Sequence, residues 1–157
     1  MAPQRGGEMG TEERVRLHAV SLTEDRVVEA VCQKLVSDGY LILQQATATQ
    51  HGHDIVARKG RQDLIIEAKG AGSSKAGTAR YGVEFNSNQV FDHVSKAVLK
   101  AMRVVSGGRE RAGIALPDNP RHRHEIDQVA PSLRRAGIAV FWVDERFEVR
   151  VDAPWDL

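Results

Sequence analysis

The sequence predicts a single α/β domain in which a central mixed β-sheet is flanked by helices. Apolar segments of strand length alternate along the chain with segments of helical periodicity. No internal repeat or linker divides the 157 residues, and this length suits one domain with its own core. We expect residues 1–22 to form a flexible N-terminal tail and residues 23–157 to form the domain.

Composition narrows the class of protein. The chain is 41% hydrophobic and 27% charged, which is typical of a globular protein. No apolar run is long enough to cross a membrane, so no membrane partner is expected. Cys32 is the only cysteine, which favours a cytoplasmic location. The formal net charge of +1 decides neither for nor against nucleic acid.

The first half of the chain predicts one helix and three strands. The helix begins after Thr23, carries Glu24 and Asp25 in its first turn where the helix dipole favours acids, and ends at Gly39. Its apolar stripe has helical spacing. Three strands follow in close succession, as in a meander: 40–44, 54–57 and 64–69.

The second half predicts two helical segments and the remaining strands. A long helix covers 87–105, and a second helical segment is kinked or divided by Pro131. The strand at 112–116 lies between them. The strand at 138–143 is wholly apolar, which is typical of burial on both faces, and 147–151 is its hairpin partner.

Three charged residues stand out on the second and third strands. Asp54 opens the second strand, and Glu67 and Lys69 close the third on one common face. Unpartnered charges against an apolar sheet are costly, so something must neutralise them. One interpretation is a divalent cation bound by Asp54, Glu67 and the carbonyl of Ala68; the other is a structural salt bridge. Glu29, beside the apolar stripe of the first helix, is placed to reach the same site.

In this order and spacing, the chain resembles the PD-(D/E)XK nuclease superfamily. The superfamily motif has an acid on the second core strand and Glu or Asp, any residue and Lys on the third, which Asp54 and 67–69 match. Gly52 precedes the first acid, as in many members. Glu29 before Gly39 and Gln89 on the next helix fit further positions of the pattern. The stretch 73–89 is similar to one in bacterial members of the superfamily.

The resemblance implies a restriction-endonuclease-like fold and a metal-dependent DNA endonuclease of the restriction, repair or junction-cleaving type. It implies Mg²⁺ or Mn²⁺ as the cofactor, with no small-molecule cofactor. Metal ligands would be Asp54, Glu67, the carbonyl of Ala68 and Glu29. Lys69 would orient a water or offset phosphate charge, and Gln89 would position the reacting groups. Gln89 has a second interpretation, because Asn86-x-x-Gln89 has the pattern of a capping box.

DNA is the expected partner. The predicted contacts are two cations in the loop at 70–87 and one face of the long helix: Lys75, Arg80, His93, Lys96 and Lys100. The alternative for the helix is a solvated face, and 121–124 is also expected to be solvated. A catalytically inactive nucleic-acid-binding module is the alternative function, and a protein whose acids form only a salt bridge is a third. A homodimer would supply surface for reading bases.

Overall fold

The computed structural model describes residues 22–46, 51–73 and 83–157. Residues 1–21 of the predicted tail lie outside these ranges. The predicted DNA contacts Lys75 and Arg80 also lie outside them. The helices are α1 (Glu24–Ser37), α2 (Ser87–Gly107), α3 (Pro120–Asp127) and α4 (Ala130–Ala136). The strands are β1 (Leu41–Gln45), β2 (Ile55–Lys59), β3 (Gln62–Ala68), β4 (Arg111–Pro117), β5 (Ile138–Val143) and β6 (Val149–Asp152).

The strands form one six-stranded sheet in the order β1-β2-β3-β4-β5-β6. The β1–β2–β3 meander is antiparallel, β3, β4 and β5 run parallel, and β6 returns antiparallel to β5. The two parallel connections require crossovers, which the helices α2 and α3–α4 supply. The predicted fold class, one α/β domain with a mixed sheet flanked by helices, is confirmed.

Helices cover both faces of the sheet, and β5 shows why its sequence is wholly apolar. Ala139, Phe141 and Val143 pack in the cluster that includes α1, whereas the alternate residues pack with α2, α3 and α4. On β3, Leu64, Ile66 and Ala68 belong to the α1 side. Since successive strand side chains alternate, Ile65, Glu67 and Lys69 point to the opposite side, towards α2.

The starts of the helices follow the predicted signals with one exception. Asn86 and Gln89 form a capping box: each side chain accepts from the other's backbone N–H at 3.0 Å. The capping interpretation of Gln89 is thereby confirmed. Thr23 precedes α1 in an extended conformation, but its side chain makes no capping hydrogen bond. The predicted division at Pro131 is also confirmed, because Pro131 lies in the first turn of α4.

The two ends of the predicted loop at 70–87 pair with each other where the structure describes them. Gly72 and Glu84 form an isolated antiparallel bridge, and the N–H of Phe85 donates to the carbonyl of Ala71 at 2.8 Å. This pairing ties the end of β3 to the start of α2. It therefore helps to fix the two elements that carry Lys69 and His93.

The segment 121–124 is solvated only in part: Arg121 and His124 are exposed, as predicted, but the two residues between them are not. His122 is completely buried. The guanidinium of Arg123 makes hydrogen bonds of 2.7 and 2.9 Å to the carboxylate of Asp118 and lies 3.9 Å from the ring centroid of Trp142. Across the described ranges, no helix is long and apolar enough to cross a membrane.

Candidate active site

Asp54 joins the start of β2 to the end of β3. One of its carboxylate oxygens, Oδ2, accepts a hydrogen bond of 2.7 Å from the backbone N–H of Ala68. Its own carbonyl accepts from Ala46 at 2.8 Å. Gly52, two residues earlier, has a φ of 121°, in the region that only glycine adopts without strain. The glycine of the predicted motif therefore lets the chain turn into β2 so that Asp54 meets β3.

Glu67 is buried, and its carboxylate has two lysine neighbours. Its side chain is 5% exposed, and Oε1 accepts from the Nζ atom of Lys69 at 2.8 Å. The same oxygen also accepts from Nζ of Lys100 on α2. The sequence is compatible with a cation site or a salt bridge at Glu67, and the structure contains the salt bridge. Lys100 joins this cluster from a position that the sequence predicted for DNA contact.

The backbone of Ala68 presents its carbonyl to the same corner. The N–H of Lys69 donates to the carbonyl of Ala115 on β4 at 3.0 Å. Because the backbone groups of successive strand residues point to opposite neighbouring strands, those of Ala68 point away from β4 and towards β2. The N–H of Ala68 points to Asp54, and within a strand the carbonyl of a residue lies on the same side as its N–H. The carbonyl of Ala68 is thus directed to the Asp54 side, as the predicted ligand set requires.

The acid that α1 contributes is Glu24, not Glu29. Glu24 interacts electrostatically with Lys69, Asp54 and Glu67. Glu29 is exposed. Five helical positions rotate a side chain by about 140°, so the two glutamates cannot face the same site. The structure therefore does not place Glu29 at the predicted site, because a position beside the apolar stripe does not determine which turn of the helix meets the sheet.

Gly70 explains why the first turn of α1 reaches this corner. A Cβ atom on Gly70 would lie 2.4 Å from the backbone N of Glu24 and 2.8 Å from the carbonyl carbon of Thr23. Only glycine permits this approach of two backbones. The N–H of Ala71 then donates to the carbonyl of Leu22 at 2.8 Å. The chain that leaves β3 therefore seats the start of α1.

The acids of the site lie close together and are partly shielded from water, which raises the pKa values of two of them. Burial raises the pKa of Glu24 from 4.5 to about 7; Lys69 opposes this rise, and Asp54, Glu67 and Asp25 add to it. Burial also raises the pKa of Asp54, against the hydrogen bond from Ala68. An excess of acids in one place is the property that a divalent cation would relieve.

Lys69 remains charged at neutral pH. Burial acts to lower its pKa, but the hydrogen bond and charge of Glu67, with the charges of Glu24 and Asp54, outweigh that effect and raise it. A lysine with a raised pKa is a poor proton acceptor. It can instead orient a water molecule or offset the charge of a phosphate, which are the two roles that the sequence predicts for it.

The helix face that starts at Gln89 divides into buried and exposed parts. The amide of Gln89 is engaged in the capping box. His93 packs edge-on against Phe85 with ring centroids 4.4 Å apart. Burial lowers the pKa of His93, and the charges of Lys69 and Lys96 lower it further. Lys96 is exposed and Lys100 is about half exposed, so both remain accessible to a ligand.

The donor set fits a hard divalent cation with an incomplete protein shell. Within the described ranges, no three His, Cys, Asp or Glu side chains form a group that could hold a metal ion. Mg²⁺ is usually bound by only one or two carboxylates, with water and substrate phosphate completing its octahedron. Asp54, Glu67 and the carbonyl of Ala68 match that kind of site, and Glu24 lies beside it.

Three features of this site were not apparent from the sequence. In the sequence, Glu24 has only the signature of an acid that suits a helix N-terminus. Lys100 lies 33 residues from its ion-pair partner Glu67, and no local pattern links them. Gly70 ended a predicted strand, but its close contact with α1 depends on tertiary packing. The motif spacing of Glu67, Lys69 and Asp54 did bring those residues together as predicted.

No protein-family model matches the chain, and no curated protein matches it either. Among solved structures, the chain is similar to Pyrococcus furiosus SfsA in complex with Ca²⁺. The two are 14% identical over 97% of this chain and 74% of that chain, with a TM-score of 0.35.

Proposed function

We propose that this protein is a metal-dependent DNA endonuclease that hydrolyses phosphodiester bonds. The observation that carries the proposal is the convergence of Asp54, Glu67 and Lys69 at one corner, with Asp54 hydrogen-bonded to Ala68 between the other two. Mg²⁺ or Mn²⁺ suits the hard oxygen donors of this corner. The resemblance of these residues to the PD-(D/E)XK motif supports the same activity.

The roles of the residues follow from their charge states. A bound divalent cation would polarise the scissile phosphate and lower the pKa of an attacking water. Asp54, Glu67 and the carbonyl of Ala68 would hold that cation. Lys69, which stays protonated, would orient the water or offset the phosphate charge. Burial raises the pKa of Glu24 to about 7 in the metal-free protein. A cation bound beside it would lower that pKa and favour the carboxylate form, which would accept a proton from water.

Cleavage assays test this proposal. Purified protein is incubated with Mg²⁺ or Mn²⁺ and with supercoiled, linear and branched DNA. We expect wild-type cleavage that is abolished by EDTA and reduced by roughly 100-fold or more in Asp54→Asn and Lys69→Met. Glu148→Gln, at an exposed carboxylate outside the site, is the matched control and retains full activity. Equal cleavage by the wild type and Asp54→Asn would overturn the proposal.

A nucleic-acid-binding module without catalysis is the second candidate. The observation in its favour is that Glu67 already has two lysine partners. In that case DNA binding would persist in EDTA and fall with added salt, as expected for phosphate contacts. No DNA of any form would be cut in Mg²⁺ or Mn²⁺, and the Asp54→Asn variant would bind DNA as the wild type does.

A further inference from the structure

A pocket of about 430 Å³ opens beside the cluster formed by Glu67, Lys69 and Lys100. Its volume falls within the roughly 300–1,000 Å³ that sites for small organic ligands occupy. It lies between the start of β2, the middle of β3 and the C-terminal half of α2. Its lining includes the side chains of Ile65, Lys100, Arg103, Val104 and Glu110.

Lys100 links the pocket to the candidate active site. Lys100 lines the pocket, and its Nζ atom donates to Oε1 of Glu67. Ile65 and Glu67 are two residues apart on the same face of β3, which separates their Cα atoms by roughly 7 Å. That separation is close to the distance between successive phosphates along one strand of DNA, and a ligand in the pocket would therefore be the direct neighbour of the reacting phosphate.

The lining has an apolar part and a cationic part. Ile65 and Val104 supply the apolar surface. Lys100 and Arg103 are one helical turn apart on α2, so their cationic groups share one wall. Arg103 is exposed and forms no ion pair with any residue of the described ranges. A guanidinium that has no ion-pair partner in the described ranges, beside an apolar floor, is a combination that binds a phosphate together with the face of a base.

Glu110 narrows the class of ligand further. Its carboxylate lines the same pocket, and a second phosphate would be repelled by it. Carboxylates accept hydrogen bonds from the amino groups of bases, such as the N4 amino group of cytosine. A paired base stays stacked inside the duplex and cannot enter a pocket of this kind. The lining therefore matches one nucleotide with one phosphate and an unpaired base.

We propose that this pocket binds one unpaired nucleotide next to the scissile phosphate. Resting on the proposed function, this inference names the substrate class: DNA that carries a single-stranded segment, such as a flap or a frayed branch, rather than continuous duplex. Lys100 and Arg103 contact the phosphate of that nucleotide. Its base lies on Ile65 and Val104, with Glu110 at its edge.

Fluorescence anisotropy with labelled DNA tests the proposal without relying on cleavage. Single-stranded, flapped and blunt duplex oligonucleotides of equal length are titrated in EDTA and, separately, in Ca²⁺. We expect the wild type to bind flapped and single-stranded DNA at least about tenfold more tightly than blunt duplex. Val104→Trp fills the pocket, and Arg103→Gln removes the cation while keeping a polar side chain. Each should remove most of that preference.

The matched control is Leu99→Trp, which adds the same ring to an exposed position of α2 outside the pocket lining. It should keep the wild-type preference, and thermal melts verify that all variants are folded. Equal affinity for flapped and blunt DNA, a uniform loss in Val104→Trp and Leu99→Trp, or no measurable binding would each overturn the proposal. If the pocket binds DNA as proposed but the protein is not a nuclease, the preference for flapped DNA will depend on the pocket and no DNA will be cut in Mg²⁺ or Mn²⁺.

Discussion

Glu24 is a residue through which this site responds to pH near neutrality. Its pKa rises from 4.5 to about 7 chiefly because it is buried next to other acids. A carboxyl group with a raised pKa in the folded state binds its proton more tightly there than in the unfolded chain. Its contribution to stability is therefore fully present below about pH 4.5 and is lost as the pH rises through 7.

The variant Glu24→Gln should remove that loss. We expect its melting temperature to exceed that of the wild type by about 2–4 °C at pH 8 and to match it near pH 4.5. Thermal unfolding followed by circular dichroism across this pH range measures the difference. Glu29→Gln, on the exposed side of the same helix, is the matched control. A Glu24→Gln difference that does not change with pH would contradict the assignment.

At the scale of elements, the contact between α1 and the end of β3 decides which acids meet. Gly70 lies against the backbone of Thr23 and Glu24, and a methyl group there has no space. Any change that separates these backbones also withdraws Glu24 from Lys69. The packing of the start of α1 against Gly70 therefore also determines whether Glu24 lies at the site.

Gly70→Ala should destabilise the fold by about 1–3 kcal/mol, the usual cost of overpacking. Gly107→Ala provides a matched control, because nothing lies within 4 Å of the Cβ that would be added there. It should leave stability unchanged or raise it by up to about 1 kcal/mol, since alanine suits a helix better than glycine. Urea unfolding compares the two. Similar effects of both substitutions would show that the Gly70 contact is not tight.

The capping box at the start of α2 offers a second test at this scale. Asn86→Ala and Gln89→Ala each remove one of its two side-chain hydrogen bonds. Each should lower the free energy of unfolding by about 1 kcal/mol. If Gln89 acts only as a cap, both variants lose DNA cleavage to the same extent. A selective loss of cleavage in Gln89→Ala would assign it the positioning role that the sequence predicts.

At the scale of the whole molecule, binding of a cation should stabilise the fold. A ligand at 100 times its dissociation constant adds about 2.7 kcal/mol, which raises the melting temperature by about 5–10 °C for a chain of this size. We expect Mn²⁺ to produce such a shift in the wild type and not in Asp54→Asn. Glu148→Gln should behave as the wild type. A full shift in Asp54→Asn would place the bound ion elsewhere.

Local patterns were sufficient for the elements and for part of the site. Hydrophobic periodicity, the capping residues and Pro131 predict where helices begin and where they divide, because these signals act within a few residues. The two-residue period of a strand likewise places Glu67 and Lys69 on one face. The wholly apolar 138–143 predicts a strand buried on both sides, as β5 is.

Contacts between distant segments were decided only by the tertiary structure. Whether Glu24 or Glu29 faces the cluster depends on how α1 is rotated against β3, which the backbone contact at Gly70 determines. The pairing of Lys100 with Glu67 and the burial of His122 depend on how α2 and α3 pack on the sheet. Charge alone predicts a solvated side chain, whereas burial and partners come from residues far along the chain.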